Sequence, residues 1–158
     1  MQSLSTQSIA ILFVLGIWAS SSVAQPSNQW QSPTTADRPS LALYGKKPLI
    51  VLMCEHGRMK LHARDFAVVQ QWPQPELTFL VGDVRRTKRP DLRMIGEDTG
   101  FEIEFPVADS VLNAIDSGQT LKAEYNGQTK QYPLPPATLR KAFSKNCAAQ
   151  LPAALRAE

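Results

Sequence analysis

The sequence has few of the residues on which most catalytic motifs depend. Among its 158 residues there are two cysteines, two histidines and eight glycines. No two cysteines are separated by two residues, which excludes a thioredoxin-like redox motif. The sequence also has no Gly-x-Ser-x-Gly motif and no glycine-rich phosphate loop, which excludes the nucleophile elbow of the α/β-hydrolases and the common nucleotide-binding motifs.

Long apolar runs are also scarce. The longest, Ile9 to Ala19, spans eleven residues and is too short to cross a bilayer comfortably as a helix. It precedes Ser22-Val23-Ala24, which places small residues where a signal peptidase cleaves. We therefore predict a signal peptide over residues 1–24 and a periplasmic or secreted protein with no membrane span after cleavage. Because no Lys or Arg precedes the run, a retained membrane anchor is the alternative.

The rest of the chain has the length of one domain. Cleavage after Ala24 leaves 134 residues, enough for one hydrophobic core but not for two. The segment that follows is polar and rich in Pro, Ser and Thr, and it predicts a flexible N-terminal tail over residues 25–47. The domain is predicted over residues 48–150, and a short C-terminal tail over residues 151–158.

The two cysteines, Cys54 and Cys147, are predicted to form a disulfide. An even count favours a bond in an oxidising compartment. Closing a loop of this length would stabilise the fold by roughly 4–5 kcal/mol in the chain-entropy model. A catalytic thiol is the alternative, and it would require a positioned histidine partner.

The stretch "PLIVLMCEHGRMKLHA" predicts a β-hairpin with its turn at His56-Gly57. The pairs that this turn sets opposite one another are Leu52 with Leu61 and Cys54 with Met59. Met53 and His62 then lie on the other face, away from Cys54. Since a copper or zinc site needs three or four converging ligands, we predict no metal and no cofactor here.

The remaining patterns predict a mainly β fold. Apolar and polar residues alternate over Glu76–Asp83 and Phe101–Phe105, and Asn126-Gly127 marks a hairpin within Thr120–Tyr132. Two short helices are predicted in "ADSVLNAIDSG" and "PPATLRKAFSKNCAAQ". The second helix places Cys147 on its apolar stripe. We predict a small antiparallel β-sandwich of about six to eight strands, with two short helices and one disulfide.

The order of these features resembles a known group of proteins. An early strand ends in Cys54, "VLNAIDSGQTLKAEY" joins a helix to a strand, and "YPLPPATLRKAFSKNC" joins a strand to a helix that carries Cys147. This order is similar to that of small secreted bacterial proteins of the invasion-associated locus B family and the type VI secretion-associated periplasmic proteins. The resemblance covers Pro48 to about Gln150. It implies an immunoglobulin-like sandwich with a disulfide between the two cysteines, and no catalytic residues.

Positive charge is concentrated in one stretch, "VRRTKRPDLR" at Val84–Arg93. It carries net charge +4 against +3 for the whole chain, so the remainder carries −1. Such a cluster favours anionic partners, and outside the cytoplasm these are an envelope protein or an anionic envelope polymer rather than nucleic acid. The alternative is that the charges only solvate a loop and protect a strand edge. The predicted partner-binding residues of this basic loop are Arg85, Arg86, Lys88, Arg89 and Arg93.

Few residues remain for catalysis. His56 and His62 are the only imidazole bases, and neither lies near a serine in a strand–turn–helix context. Glu102 and Glu104 are paired carboxylates, but they lie on the solvent face of a predicted strand. We therefore predict an exported, non-catalytic binding or accessory protein of the bacterial envelope. The alternatives are an inhibitor or chaperone of an envelope enzyme, and then a copper or redox carrier.

Overall fold

The computed structural model describes residues 28–33, 38–95 and 98–151, with only the backbone of residues 95 and 98. The predicted signal peptide, and the C-terminal tail beyond Leu151, lie outside the described residues. Among the helices that are described, none has the length and apolar character needed to span a bilayer.

The larger of two antiparallel sheets has six strands. Their order across the sheet is β1-β2-β3-β4-β8-β7. In chain order these strands are β1 (Gln29–Gln31), β2 (Ser40–Tyr44), β3 (Pro48–Glu55), β4 (Arg58–Ala63), β7 (Asp91–Ile95) and β8 (Asp98–Pro106). The free edges of this sheet are therefore β1 and β7.

The smaller sheet has four strands in the order β10-β9-β5-β6. They are β5 (Leu77–Val81), β6 (Val84–Lys88), β9 (Leu121–Tyr125) and β10 (Gln128–Tyr132). The chain enters this sheet twice, each time as a hairpin, and β5 pairs with β9 to join the two hairpins.

The two sheets contact one another through aromatic side chains, in a sandwich-like arrangement. The rings of Phe79 and Phe105 are stacked at 6.3 Å, and those of Phe101 and Tyr125 lie 4.3 Å apart. All four side chains are buried, since the strands alternate apolar residues inward and polar residues outward. The predicted mainly β fold with two antiparallel sheets, two helices and one disulfide is confirmed.

Two helices complete the core. Helix α1 (Asp109–Asp116) contacts β5 and β6, and helix α2 (Ala137–Ala149) contacts α1 and β2. Just beyond the end of helix α1, Gly118 has a positive φ of 78°, and its backbone N–H donates a hydrogen bond to the carbonyl of Ile115. The predicted disulfide joins Cys147 of α2 to Cys54 of β3, and both residues are fully buried.

The register predicted for the first hairpin is confirmed. Cys54 lies opposite Met59 and Leu52 lies opposite Leu61, all buried on the core face. His56 and Gly57 both have positive φ, as the central residues of a type I′ turn do. The Asn126-Gly127 turn of the β9–β10 hairpin has the same property.

The prediction of a flexible tail over residues 25–47 is wrong for the described part of that range. Strands β1 and β2 fall within it, and β2 pairs with β3 along its length. Trp30 is buried and its Nε1 donates a hydrogen bond to the carbonyl of Pro133, 2.7 Å away. The polar composition gave no sign of β1, which is held by pairing with β2 and by the hydrogen bond of Trp30 to a distant part of the chain.

The prediction of one basic loop over residues 85–93 is also wrong. Residues 84–88 form the edge strand β6 of the small sheet, and residues 91–95 form the edge strand β7 of the large sheet. Only Arg89 and Pro90 connect them. The sequence predicted about six to eight strands. The described ranges contain ten, because they include these two edge strands and the two N-terminal strands.

Candidate anion-binding cleft at a sheet edge

The five predicted cations do not converge on one surface. Arg85 lies opposite Leu80 on the outer face of the small sheet, where Nη1 is 3.5 Å from the carboxylate of Glu124. Arg86 and Lys88 lie on the other face of the same edge strand. Successive side chains of a strand point to opposite faces, so a cluster in the sequence is divided in the fold.

Arg89 and Arg93 are brought together, in a cleft of about 440 Å³ where the chain passes from one sheet to the other. This volume is within the range of small-ligand sites, about 300–1,000 Å³. The residues that line the cleft are Trp72, Gln74, Arg89, Pro90, Asp91, Leu92 and Arg93.

Trp72 is the most exposed large apolar residue described, with 87% of its surface accessible. It belongs to the loop between β4 and β5, and its peptide bond to Pro73 is cis. A tryptophan ring in water offers a flat apolar face that attracts cations and stacks on planar or sugar groups. Together with Leu92, which is 42% exposed and lines the same cleft, the indole forms an exposed apolar surface of the kind that marks binding sites.

The loop that carries Trp72 is held in place by a buried amide. Gln74 is 6% exposed, and its Nε2 donates hydrogen bonds to the carbonyls of Val69 (2.9 Å) and Gln71 (3.1 Å). Its Oε1 accepts a hydrogen bond from the hydroxyl of Tyr125 in the small sheet. The indole of Trp72 is therefore exposed on a loop that Gln74, two residues further along the chain, fixes to the small sheet.

A second anchor lies at the start of the same loop. Phe66 is buried with its ring edge against Tyr125, at 5.8 Å between centroids. Asp65 accepts a hydrogen bond of 2.9 Å from the hydroxyl of Tyr132. Burial raises the pKa of Asp65 above its ordinary value, although the Tyr132 hydrogen bond acts in the opposite direction. Burial likewise raises the pKa of Tyr132, which keeps its hydroxyl protonated as the donor.

The two arginines of the cleft differ in their surroundings. Arg93 lies with Nε 3.7 Å from the carboxylate of Glu102 and with Nη2 4.0 Å from that of Asp91. Arg89 is exposed, and no carboxylate within the described ranges pairs with it. Arg93 is thus oriented by its neighbours, and Arg89 retains its full set of donors for a ligand.

The histidine, methionine and cysteine side chains of the first hairpin do not form a site. Cys54 is bonded to Cys147 on the core face, and Met53 and His62 lie on the outer face of the large sheet. His62 is mostly buried beside Glu102, at 3.4 Å. Burial lowers the pKa of His62 below its ordinary value, although Glu102 opposes this shift. No group of three metal-ligating side chains occurs in the part of the chain that is described.

Sequence reasoning missed Trp72 and Gln74 as parts of a site. Trp72 with the nearby Pro73 and Pro75 is a pattern typical of a loop, and an isolated glutamine gives no signal of burial. The one available hint was a tryptophan flanked by polar residues and proline, since a core residue normally lies within an apolar pattern.

Comparisons with known proteins add no information on the role of this site. No family model, no curated protein and no solved structure matches this chain. The resemblance to the invasion-associated locus B family therefore stays a prediction.

Proposed function

We propose that this chain is an exported, non-catalytic binding protein of the bacterial envelope, and that it holds an anionic partner in the cleft of Trp72, Arg89 and Arg93. The observation that carries the proposal is the indole of Trp72, 87% exposed on an anchored loop beside two arginines. The disulfide supports export, because such bonds persist in oxidising compartments.

The chemistry of the cleft suits a carboxylate or phosphate that is attached to an apolar or planar group. A guanidinium binds either anion through two parallel hydrogen bonds. The ring of Trp72 supplies contact area at small entropic cost, since it has two rotatable side-chain bonds and its loop is already fixed. Recognition by two arginines and a ring selects for shape as well as charge.

The experiment is a titration of the purified protein with polygalacturonate, poly-L-glutamate and vesicles of anionic phospholipid, followed by tryptophan fluorescence. Arg89→Gln/Arg93→Gln removes two charges from the cleft, and Arg85→Gln/Lys88→Gln removes two charges outside it. Because each lost charge-assisted hydrogen bond costs about 1.5–3 kcal/mol, we expect the first variant to weaken binding at least about tenfold. The matched control should change it by less than about threefold.

Two results would overturn the proposal. Equal losses in both variants would show that binding follows total charge, and that the cleft has no particular role. Absence of binding to all three probes, with the fold intact by circular dichroism, would remove the anionic partner altogether.

A further inference from the structure

We infer that the anionic partner is an extended acidic peptide segment that adds as a strand to the free edge of β7, with alternate apolar and acidic side chains. This inference rests on the proposed function and names the class of partner. It joins three observations: the position of the cleft relative to β7, the exposed apolar side chains of that strand, and the distribution of charge around it.

The cleft lies along the edge of β7 rather than on one of its faces. Leu92 and Arg93 are consecutive residues of the strand, so their side chains point to opposite faces. Both nevertheless line the same cavity, together with the preceding Asp91, which is the arrangement expected of a cavity that runs along the strand's edge. On its other side β7 pairs with β8, and no other described strand pairs with it. The backbone donors and acceptors along this edge are therefore open to an added strand.

Of the four edge strands described, β7 alone presents large exposed apolar side chains. Leu92 is 42% exposed and Met94 is 70% exposed. They lie opposite Phe101 and Thr99 of β8, and so share the core-side face of the sheet beyond the cover of the small sheet. The edges β6 and β10 carry charged and polar residues instead, and β1 is three residues long with its tryptophan buried. Such edges resist pairing, whereas β7 is suited to it.

Charge and register together fix the pattern of the partner. An added strand would place every second side chain beside Leu92 and Met94, and the others beside Asp91 and Arg93 on the outer face. Asp91 is paired with Arg93 at 4.0 Å and follows the exposed Arg89 closely, so residues 89–93 carry net charge +1. The first set is therefore apolar, next to the cavity that Leu92 and Trp72 line together, and the second set is acidic where it faces Arg93. Because β7 has five residues, the partner segment has about five to seven, at roughly 3.3 Å per residue.

The test uses a synthetic seven-residue peptide of alternating glutamate and valine, titrated into the full mature chain. A peptide of the same composition with its valines and glutamates in separate blocks is the first comparison. In two further peptides the backbone amides are N-methylated, at the odd positions in one and at the even positions in the other. An added strand turns only every second amide toward the edge. One methylated peptide should therefore lose about tenfold in affinity or more, and the other should change little.

Side-chain variants supply the second readout. Leu92→Gln/Met94→Gln removes the apolar row, and Val68→Gln/Leu134→Gln removes two exposed apolar residues from elsewhere. We expect the first pair to weaken peptide binding at least about fivefold and the control pair to leave it within about twofold. All four positions are exposed, so the variants should fold normally, and urea unfolding checks this.

The outcomes separate this inference from the function on which it rests. Equal affinity for the alternating and block peptides, or equal losses from both methylated sets, would overturn strand addition. If the peptides fail while polygalacturonate or anionic vesicles bind in a manner that depends on Arg89 and Arg93, the strand-addition inference falls and the proposed function stands. If nothing binds, both are wrong.

Discussion

The anchor behind Trp72 can be tested quantitatively through Gln74→Leu. This change keeps most of the buried volume and removes the amide, which makes three hydrogen bonds. The carbonyls of Val69 and Gln71 and the hydroxyl of Tyr125 would each lose a partner. Tyr125 is buried, so water can reach its hydroxyl only if the loop opens, whereas Val69 is half-buried and Gln71 is exposed, and water can replace part of what their carbonyls lose.

The expected cost follows from the number of bonds. A neutral hydrogen bond contributes about 0.5–1.5 kcal/mol net, and each buried group left unpaired costs about 1–3 kcal/mol. Partial solvation of the exposed end of the loop reduces the total, so we expect Gln74→Leu to lower the free energy of unfolding by about 2–4 kcal/mol. Tyr125→Phe removes one of the three bonds and should cost about 1 kcal/mol. In the double variant the two costs should fall short of additivity by about 1 kcal/mol, because the two residues share a bond.

Urea unfolding gives the stability, and acrylamide quenching of Trp72 in a Trp30→Phe background reports the order of the loop. We expect Gln74→Leu to lower the unfolding midpoint and, under native conditions, to change the quenching of Trp72. A loss of stability below about 0.5 kcal/mol, the range of ordinary surface changes, would refute the reasoning. So would full additivity of Gln74→Leu and Tyr125→Phe, since that would show that the two residues are not coupled.

Three further predictions concern stability. Replacing Cys54 and Cys147 together by alanine should lower the free energy of unfolding by up to about 4–5 kcal/mol, and in urea titrations a reductant should then affect only the parent protein. Burial lowers the pKa of His62, so around and below the ordinary pKa of histidine the unfolded chain binds more protons than the folded chain. Stability should therefore fall as pH decreases from 7.5 to 5.5, and His62→Gln should reduce this slope. Gly118→Ala should cost about 1 kcal/mol or more because of the positive φ at the end of α1, and an unchanged urea midpoint would contradict this.

Much of the fold could be predicted because its signals are local. In β5 and β8 the alternation of apolar and polar residues assigned each side chain to a face before any partner strand was known. The turns at His56-Gly57 and Asn126-Gly127 fixed the registers of their hairpins, because two-residue turns of this kind permit only one pairing. The apolar stripe of the second helix likewise placed Cys147 toward the core.

The short and edge strands could not be predicted in the same way. Four consecutive residues of β2, Ser40 to Leu43, are buried, and such a strand shows no alternation. The polar strand β6 shows none either, because only the first of its five residues, Val84, is apolar. Each becomes a strand through pairing with a partner that the local sequence does not identify: β3 for β2, and β5 for β6.

The candidate site could not be predicted from the sequence for the same reason. Five cations within nine residues predict a single charged surface only if the segment is one loop; in a strand, neighbouring charges point to opposite faces. Here the segment passes from the edge of one sheet to the edge of the other at Arg89-Pro90, so two of the five cations line one cleft and the other three lie outside it. Trp72, which joins them, comes from a loop that Gln74 fixes against the small sheet. Under the proposed function, this site recognises the spacing of a partner's charges against its apolar groups. Comparing Arg89→Gln/Arg93→Gln with Arg85→Gln/Lys88→Gln tests that recognition against attraction to total charge.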